Sequence, residues 1–297
     1  LWGITTINLL FVKEKTHQPR VAAIHDISGF GKCSLTVALP ILSAAGIETS
    51  VMPTAVLSTH TGGFTGFTYR DLTPDLMPFA AHWKSLNIPF DAIYSGFLGS
   101  FEQLNIVSLF FDEFKSEDNL VLVDPVMADH GKLYSLFDMA FVEGMKNLCK
   151  KADIVVPNIT EACLLTDTEF KEGPYSVEFV EKMLSKLAEN GPQKVVLTGV
   201  YFDDKQLGAA TFDKQENKID FVMGEKIPGF YHGTGDVFAS ALLSGLLNGF
   251  KLKDATQIAV NFTSASIRRT YEAQTDIRFG VNFEQSIPGF LKELKLL

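Results

Sequence analysis

From Arg20 onward the chain alternates two kinds of apolar pattern. Short runs rich in Val, Ile and Leu read as strands: "RVAAIH", "TSVMPTAVL", "DAIYSG", "NLVLVD", "ADIVVP" and "KVVLTG". Amphipathic stretches follow most of them, over 33–45, 74–86, 101–115, 135–150, 159–167 and 176–190. Unbroken apolar runs separated by helices predict parallel strands covered on both faces. After Gly199 the pattern changes. "GAATFD" and "KIDFVM" flank a polar turn, as a hairpin would. Helices are then expected near 235–248, 253–271 and 283–296. The sum is an α/β chain, a three-layer α/β/α sandwich with a mostly parallel central sheet.

In such sheets ligands bind at the carboxyl ends of the strands. Polar residues stand at or just past each predicted end: Asp26 and Ser28, His60 and Thr61, Ser95 to Phe97, Asp124, Asn158, and Thr198. Strand ends are polar anyway, because loops meet solvent. Six in succession strengthen the case for a site.

Composition narrows the partners. The 297 residues, 46% of them hydrophobic, suit one large α/β domain or two small ones. A net charge of −9 without a basic block argues against nucleic acid. An anionic substrate stays open, since a few local donors can hold a phosphate on an acidic protein. Cys33, Cys149 and Cys163 are odd in number and lack ligand spacing, which argues against disulfides or zinc and suits a cytoplasmic compartment. No run suits a membrane span. Residues 1–20 read as a poorly ordered extension rather than a signal peptide, and 21–297 as a single domain.

Two glycine loops compete as the phosphate site. The first, Gly29-Phe30-Gly31-Lys32-Cys33-Ser34, follows a strand and precedes a helix. A P-loop needs G-x-x-x-x-G-K-[S/T]. Here Cys33 replaces the metal-binding hydroxyl and Asp26 the first glycine, so the loop is expected to line an acceptor pocket instead. The second, Gly233-Thr234-Gly235-Asp236, opens an apolar helix carrying Ala239, Ser240, Ala241, Ser244 and Gly245. Free N–H groups and the helix dipole make such an N-terminus an anion hole. Asp236 reads either as a first-turn dipole partner or as a general base beside a held phosphoryl group.

At these residues the chain resembles the ribokinase-like superfamily, and within it the pyridoxal kinase (vitamin B6) branch. "STHTGGFTG" (58–66), "DAIYSGFLGS" (91–100), "VLVDPVMADHGKLY" (121–134) and "DIVVPNITEA" (153–162) are similar to that branch's motifs, in matching order over roughly residues 20–275. The resemblance implies an ATP-dependent kinase acting on the 5′-hydroxymethyl group of pyridoxal, pyridoxamine or pyridoxine. Asp236 would be the base, and Gly233, Thr234 and Gly235 would hold the transferring phosphoryl group. Asp26, Ser28, His60, Thr61 and Phe97 would line the acceptor pocket. Asn158, Thr198 and Asp129 would lie at the ATP phosphates. Asp124 and Glu161 would organise Mg²⁺, directly or through water. The resemblance also implies K⁺ dependence and a homodimer.

Two alternatives stand beside this reading. "HDISGFGKCS" looks closer to hydroxymethylpyrimidine kinases of thiamine synthesis, which commonly carry Cys where this chain has Asp236. A non-catalytic pyridoxal phosphate-binding or sensing protein would need the pocket but not Asp236. A carbohydrate kinase lacks support, for want of an early Gly-Gly sugar motif.

Overall fold

The computed structural model describes residues 17–297. Strand β1 (Arg20–Ser28) leads to α1 (Leu35–Ala44), then β2 (Glu48–Leu57) and the short β3 (Tyr69–Asp71). Next come α2 (Thr73–Ser85), β4 (Ala92–Ser95), α3 (Phe101–Phe114) and β5 (Leu120–Val123). A two-stranded ribbon, β6 (Ala128–Asp129) and β7 (Lys132–Leu133), precedes α4 (Met139–Cys149). Then follow β8 (Ile154–Val155), α5 (Ile159–Leu165), α6 (Val177–Glu189) and β9 (Lys194–Val200). The hairpin β10 (Gln206–Asp213) and β11 (Lys218–Glu225) precedes α7 (Thr234–Leu247), α8 (Leu252–Glu272) and α9 (Ile287–Glu293).

Nine strands form one sheet in the order β11-β10-β9-β8-β5-β4-β1-β2-β3. The six from β9 to β2 are parallel, and the hairpin and β3 add antiparallel edges. The chain runs outward from β1 to β2 and then returns to β4 on the other side of β1. That reversal is the topological switch point, where side chains at the strand ends diverge around a crevice.

Two cores sandwich the sheet. Alternate strand residues such as Ala22, Ile24, Ile93 and Val123 pack with α2 to α6, through Leu76, Phe110, Phe141, Ile159 and Val180. The opposite set, Val21, Ala23, Tyr94 and Leu122, packs with α1, α7, α8 and α9, through Ile41, Leu242, Ala259 and Phe290. This is the three-layer arrangement that the periodicity predicts.

Differences in detail have local causes. β8 keeps two residues of "ADIVVP", because Pro157 has no N–H for a ladder. α4 starts at Met139 rather than 135, where the Asp138 carboxylate accepts the Phe141 N–H. The helix expected over 283–296 is a 3₁₀ turn (Glu284–Ser286) followed by α9, with Pro288 in its first turn. Of the expected loose extension, residues 1–16 lie outside the described residues. His17 and Arg20 are attached, through His17 Nε2 at 2.8 Å from Asp91 Oδ1 and through the start of β1.

Candidate active site

Asp236 and the end of β1 meet at the switch point. Asp236 lies in the first turn of α7, and its Oδ2 accepts the backbone N–H of Ser34 at 2.9 Å. Asp26 falls where the β1–β2 register slips, between His25 and Ile27, and is 4% exposed. Ser28 Oγ donates to Asp26 Oδ2 at 3.2 Å, while Oδ1 is buried without a hydrogen-bond partner among the described residues. A buried oxygen left open in this way suits a ligand donor.

Gly233 caps α7 with φ 75, in the left-handed region. A Cβ there would collide with the Lys32 carbonyl oxygen, so the opening loop can pass only over a glycine. Helical pairing begins with Val237 N–H on the Gly233 carbonyl at 3.1 Å. The N–H groups of Thr234, Gly235 and Asp236 therefore stand outside the helical ladder. Gly235 is exposed, and the nearest atom to a Cβ built there is Asp124 Oδ2, 3.9 Å away. The Gly233–Asp236 turn and the carboxylate past β5 thus face one space.

The Asp124 side is a pocket of negative charge. Asp124 (6% exposed) and Glu161 (3%) are buried. Asn158 and Glu161 form a capping box at α5: Asn158 Oδ1 accepts Glu161 N–H, and Glu161 Oε2 accepts Asn158 N–H, both at 2.9 Å. Glu161 Oε1 accepts Met127 N–H, and Asn158 Nδ2 donates to the Ala128 carbonyl. Thr198 bridges to Asn158, its N–H donating to the Pro157 carbonyl at 2.9 Å. Asp129, in the β6 strand, accepts the N–H of His130 and lies within electrostatic reach of Glu161.

These carboxyls share one electrostatic condition. Burial pushes Asp236 up to about 7, against the Ser34 hydrogen bond. Burial likewise raises Glu161 to about 8. Asp124 is driven well above the carboxylate range by burial and by Glu161 and Asp236. Asp26 is raised by burial, with Ser34 and Ser28 partly opposing. Among the described residues, no lysine or arginine is a main cause of these shifts. Buried carboxylates without a cation are costly, so Asp124 and Glu161 fit a divalent ion in charge and in hard oxygen chemistry. Among the described residues no group of three or more His, Cys, Asp or Glu could hold a metal. Water and phosphate oxygens would have to complete the shell, as Mg²⁺ prefers.

The acceptor-side residues behave differently from one another. His60 is 5% exposed and closed on both ring nitrogens. Nε2 lies 2.6 Å from the Arg278 carbonyl, and Nδ1 accepts the Gly62 N–H at 3.0 Å, which assigns the proton to Nε2. Thr61 is exposed in the β2–β3 loop. Phe97 packs its ring on Phe137, 5.7 Å between centroids, beside α4. Lys32 points away from the site: its Nζ pairs with Glu284 at 2.9 Å and Asn282 at 3.2 Å.

Three neighbours carry no role in the sequence reading. Ser34 holds Asp236. Tyr134 closes the "VLVDPVMADHGKLY" stretch; burial and then Glu161, Asp129, Asp124 and Asp236 all raise its phenol, which puts it within electrostatic reach of these carboxylates. His232 directly precedes Gly233; burial and His60 hold its imidazole below the usual histidine value, Asp129 opposing. Adjacency to the quoted motifs was the available signal for the last two. Ser34 had none, since its contact spans 202 residues. A separate cavity of about 490 Å³ lies at the other end of β9 to β11, and its charges pair internally, Lys194 with Asp213 and Lys218 with Asp220.

Comparison with known proteins gives a consistent set. The phosphomethylpyrimidine kinase family model matches residues 40–280. A Dictyostelium discoideum pyridoxal kinase is 27% identical over 258 residues, 82% of each chain. A Bacteroides thetaiotaomicron structure, assigned to the phosphomethylpyrimidine kinases and crystallised with pyridoxal, is 39% identical with a TM-score of 0.88. It covers 92% of this chain and 96% of its own. The Lactobacillus plantarum pyridoxal kinase structure is 30% identical with a TM-score of 0.85, covering 93% and 98%.

Proposed function

The chain belongs to the phosphomethylpyrimidine kinase family, and from that premise we propose that it is a vitamin B6 kinase, moving the γ-phosphoryl group of ATP to the 5′-hydroxymethyl group of pyridoxal and its sister vitamers. The observation that carries the reading is Asp236: a half-buried residue in the first turn of α7, its carboxyl raised to about 7 and accepting the Ser34 N–H. A base with that affinity is half-ionised near neutral pH, which suits proton abstraction from an alcohol. Similarity to pyridoxal kinases and to a structure holding pyridoxal supports the acceptor.

In this mechanism residues 21–297 work as one unit. The acceptor hydroxyl gives its proton to Asp236 Oδ1, the oxygen that the Ser34 N–H leaves open, as its own oxygen bonds to the γ-phosphorus. The bond from that phosphorus to the bridging oxygen breaks, and ADP leaves. The N–H groups of Gly233, Thr234 and Gly235 hold the transferring group, where charge is spread over its oxygens. Asn158, Thr198 and Asp129 flank the ATP phosphates, and Asp26 and Ser28 meet the acceptor. Asp124 and Glu161 would hold Mg²⁺, which supplies charge neutralisation of the phosphates. K⁺ dependence, a homodimer and a cytoplasmic setting go with the reading. Three free cysteines suit that setting, and no helix among the described residues is long and apolar enough to cross a membrane.

A second acceptor, hydroxymethylpyrimidine, is favoured by the family model and by the "HDISG" loop. The test is ATP-dependent turnover of pyridoxal, with pyridoxal phosphate read directly and Mg²⁺ and K⁺ present. Turnover that vanishes in Asp236→Ala supports kinase and base together. Folded protein that binds ATP but leaves pyridoxal unchanged overturns the acceptor and moves the assay to hydroxymethylpyrimidine.

A further inference from the structure

The sequence points to His60 as the ring-binding histidine, yet both nitrogens of His60 are spent on Arg278 and Gly62. It has no donor or acceptor left for a ligand. His232 is the opposite case. Its half-buried ring hydrogen-bonds no other described residue. It is held in place by rings alone: the His60 centroid is 5.2 Å away and the Phe230 centroid 5.0 Å, the latter edge-on at 89°. Phe230 in turn packs on His130 at 5.1 Å, from the β6–β7 ribbon.

The main chain makes room for this ring. A Cβ at Gly62 would stand 2.6 Å from both Cε1 and Nδ1 of His232, so the glycine pair of the β2–β3 loop admits the imidazole. His232 also directly precedes Gly233, where the phosphoryl-holding N–H groups begin. An acceptor whose hydroxymethyl oxygen reaches that group brings its neighbouring ring substituent to the same wall.

We propose that His232 is a specificity-determining residue of the acceptor pocket, its imidazole hydrogen-bonding the ring substituent ortho to the hydroxymethyl group that is phosphorylated. This rests on the functional reading above and deepens it. A neutral imidazole offers one donor and one acceptor. It can donate to the aldehyde oxygen of pyridoxal, exchange either role with the alcohol of pyridoxine, or accept from the amine of pyridoxamine or of hydroxymethylpyrimidine. One side chain would then serve several acceptors of one heterocyclic class, and reject a substituent that cannot hydrogen-bond.

The experiment compares pyridoxal with 4-deoxypyridoxine, whose methyl group cannot hydrogen-bond, in wild type, His232→Phe and His232→Gln. In His232→Phe the KM for pyridoxal should rise about tenfold, the size of one hydrogen bond. The KM for 4-deoxypyridoxine should stay within about twofold, and that for ATP unchanged. His232→Gln, which keeps an N–H and an oxygen, should recover most of the loss and serves alone if the Phe variant does not fold. Equal effects of His232→Phe on both acceptors, or a His232→Gln variant that raises the KM of both alike by about tenfold, overturn the inference and leave the kinase reading standing. A wild type that phosphorylates neither acceptor sinks the functional reading, and this inference with it.

Discussion

The backbone N–H of Ser34 donates to Asp236 Oδ2 at 2.9 Å, fastening the loop after β1 to the first turn of α7. Ser34 adopts φ 55 and ψ −131 to do so, a conformation that costs a non-glycine residue. The bond leaves the second carboxylate oxygen of Asp236 for chemistry. Asp236→Asn should keep the fold, because the amide oxygen can still accept from Ser34. Its kcat should fall by about 10²–10⁴, the contribution of a general base, while pyridoxal and ATP still bind. Wild-type activity should rise with pH through about 7 as Asp236 loses its proton. Activity that stays level from pH 6 to 8 would remove Asp236 as the base.

Stability should run the other way. Asp26, Asp124, Glu161 and Asp236 all hold protons more tightly folded than unfolded. Through that window the folded state binds more protons, so stability falls as pH rises. His25, lowered to about 3 by complete burial, and His60 and His232, also lowered, act in the opposite sense below the ordinary histidine value of 6.5. Above that pH the carboxyls act, joined near the top of the range by the raised thiols of Cys33, Cys149 and Cys163, which have the same sign. The Tm of the free protein should therefore fall between about pH 6.5 and 8.5, and Mg²⁺ with ATP should restore much of it. Thermal unfolding across that range, with and without Mg²⁺-ATP, reads both effects.

Asp124→Asn separates stability from function at one position. It removes a carboxyl whose ionisation is opposed by burial, Glu161 and Asp236. The free protein should gain Tm at pH 8, while the Mg²⁺ concentration needed for half-maximal turnover rises at least about tenfold. A loss of Tm with unchanged Mg²⁺ demand would mean that Asp124 is a structural strand end and no metal carboxylate.

Much of this was legible in the chain because it is local. Parallel strands announce themselves by continuous Val and Ile, and Gly233–Asp236 forms the cap and first turn of its helix. What was not legible depends on contacts far apart in sequence. The sequence already turns the glycine loop at 29–34 from a phosphate cradle into an acceptor-pocket loop, but it does not say what its residues touch. Only in the fold does Lys32 turn to Glu284 and Ser34 to Asp236. His60 stands in a motif that suggests ligand binding, yet its Nε2–H donates to the Arg278 carbonyl, 218 residues away. Phe97 likewise finds Phe137. β3, β6 and β7 are two or three residues long, too short for any periodicity to register.

Lys32 and His60 therefore invite opposite expectations. The Lys32–Glu284 pair is partly exposed, with Glu284 at 52%, and such pairs contribute little. Lys32→Ala should change the KM of acceptor and of ATP by less than about twofold. His60→Ala removes the link between the β2–β3 loop and the 277–279 segment, leaving the Arg278 carbonyl and the Gly62 N–H without partners. The KM of the acceptor should rise while that of ATP holds, and the Gly62 amide should exchange faster with deuterium. A Lys32→Ala effect confined to ATP would return the opening loop to the phosphate side.

Gly233 and Gly235 are two residues apart and should fail in different ways. At Gly233, φ 75 already strains any L side chain, and a methyl group would strike the Lys32 carbonyl of the opening loop. Main chain cannot move aside as a flexible side chain can. Gly233→Ala should lose about 1–3 kcal/mol of stability and activity with it, since the Ser34–Asp236 contact depends on the same loop. At Gly235 the nearest atom to an added Cβ is Asp124 Oδ2 at 3.9 Å, an ordinary contact distance, and the position lies within a helix. Gly235→Ala should leave Tm unchanged or slightly raised, because alanine restricts the unfolded chain. The methyl group would nevertheless occupy the space in front of the N–H groups proposed to hold the phosphoryl group, so kcat should fall while the fold is intact. Chemical unfolding and kcat measured on both variants give the contrast. A Gly235→Ala enzyme with full kcat would show that the transferring phosphoryl group does not sit against this turn.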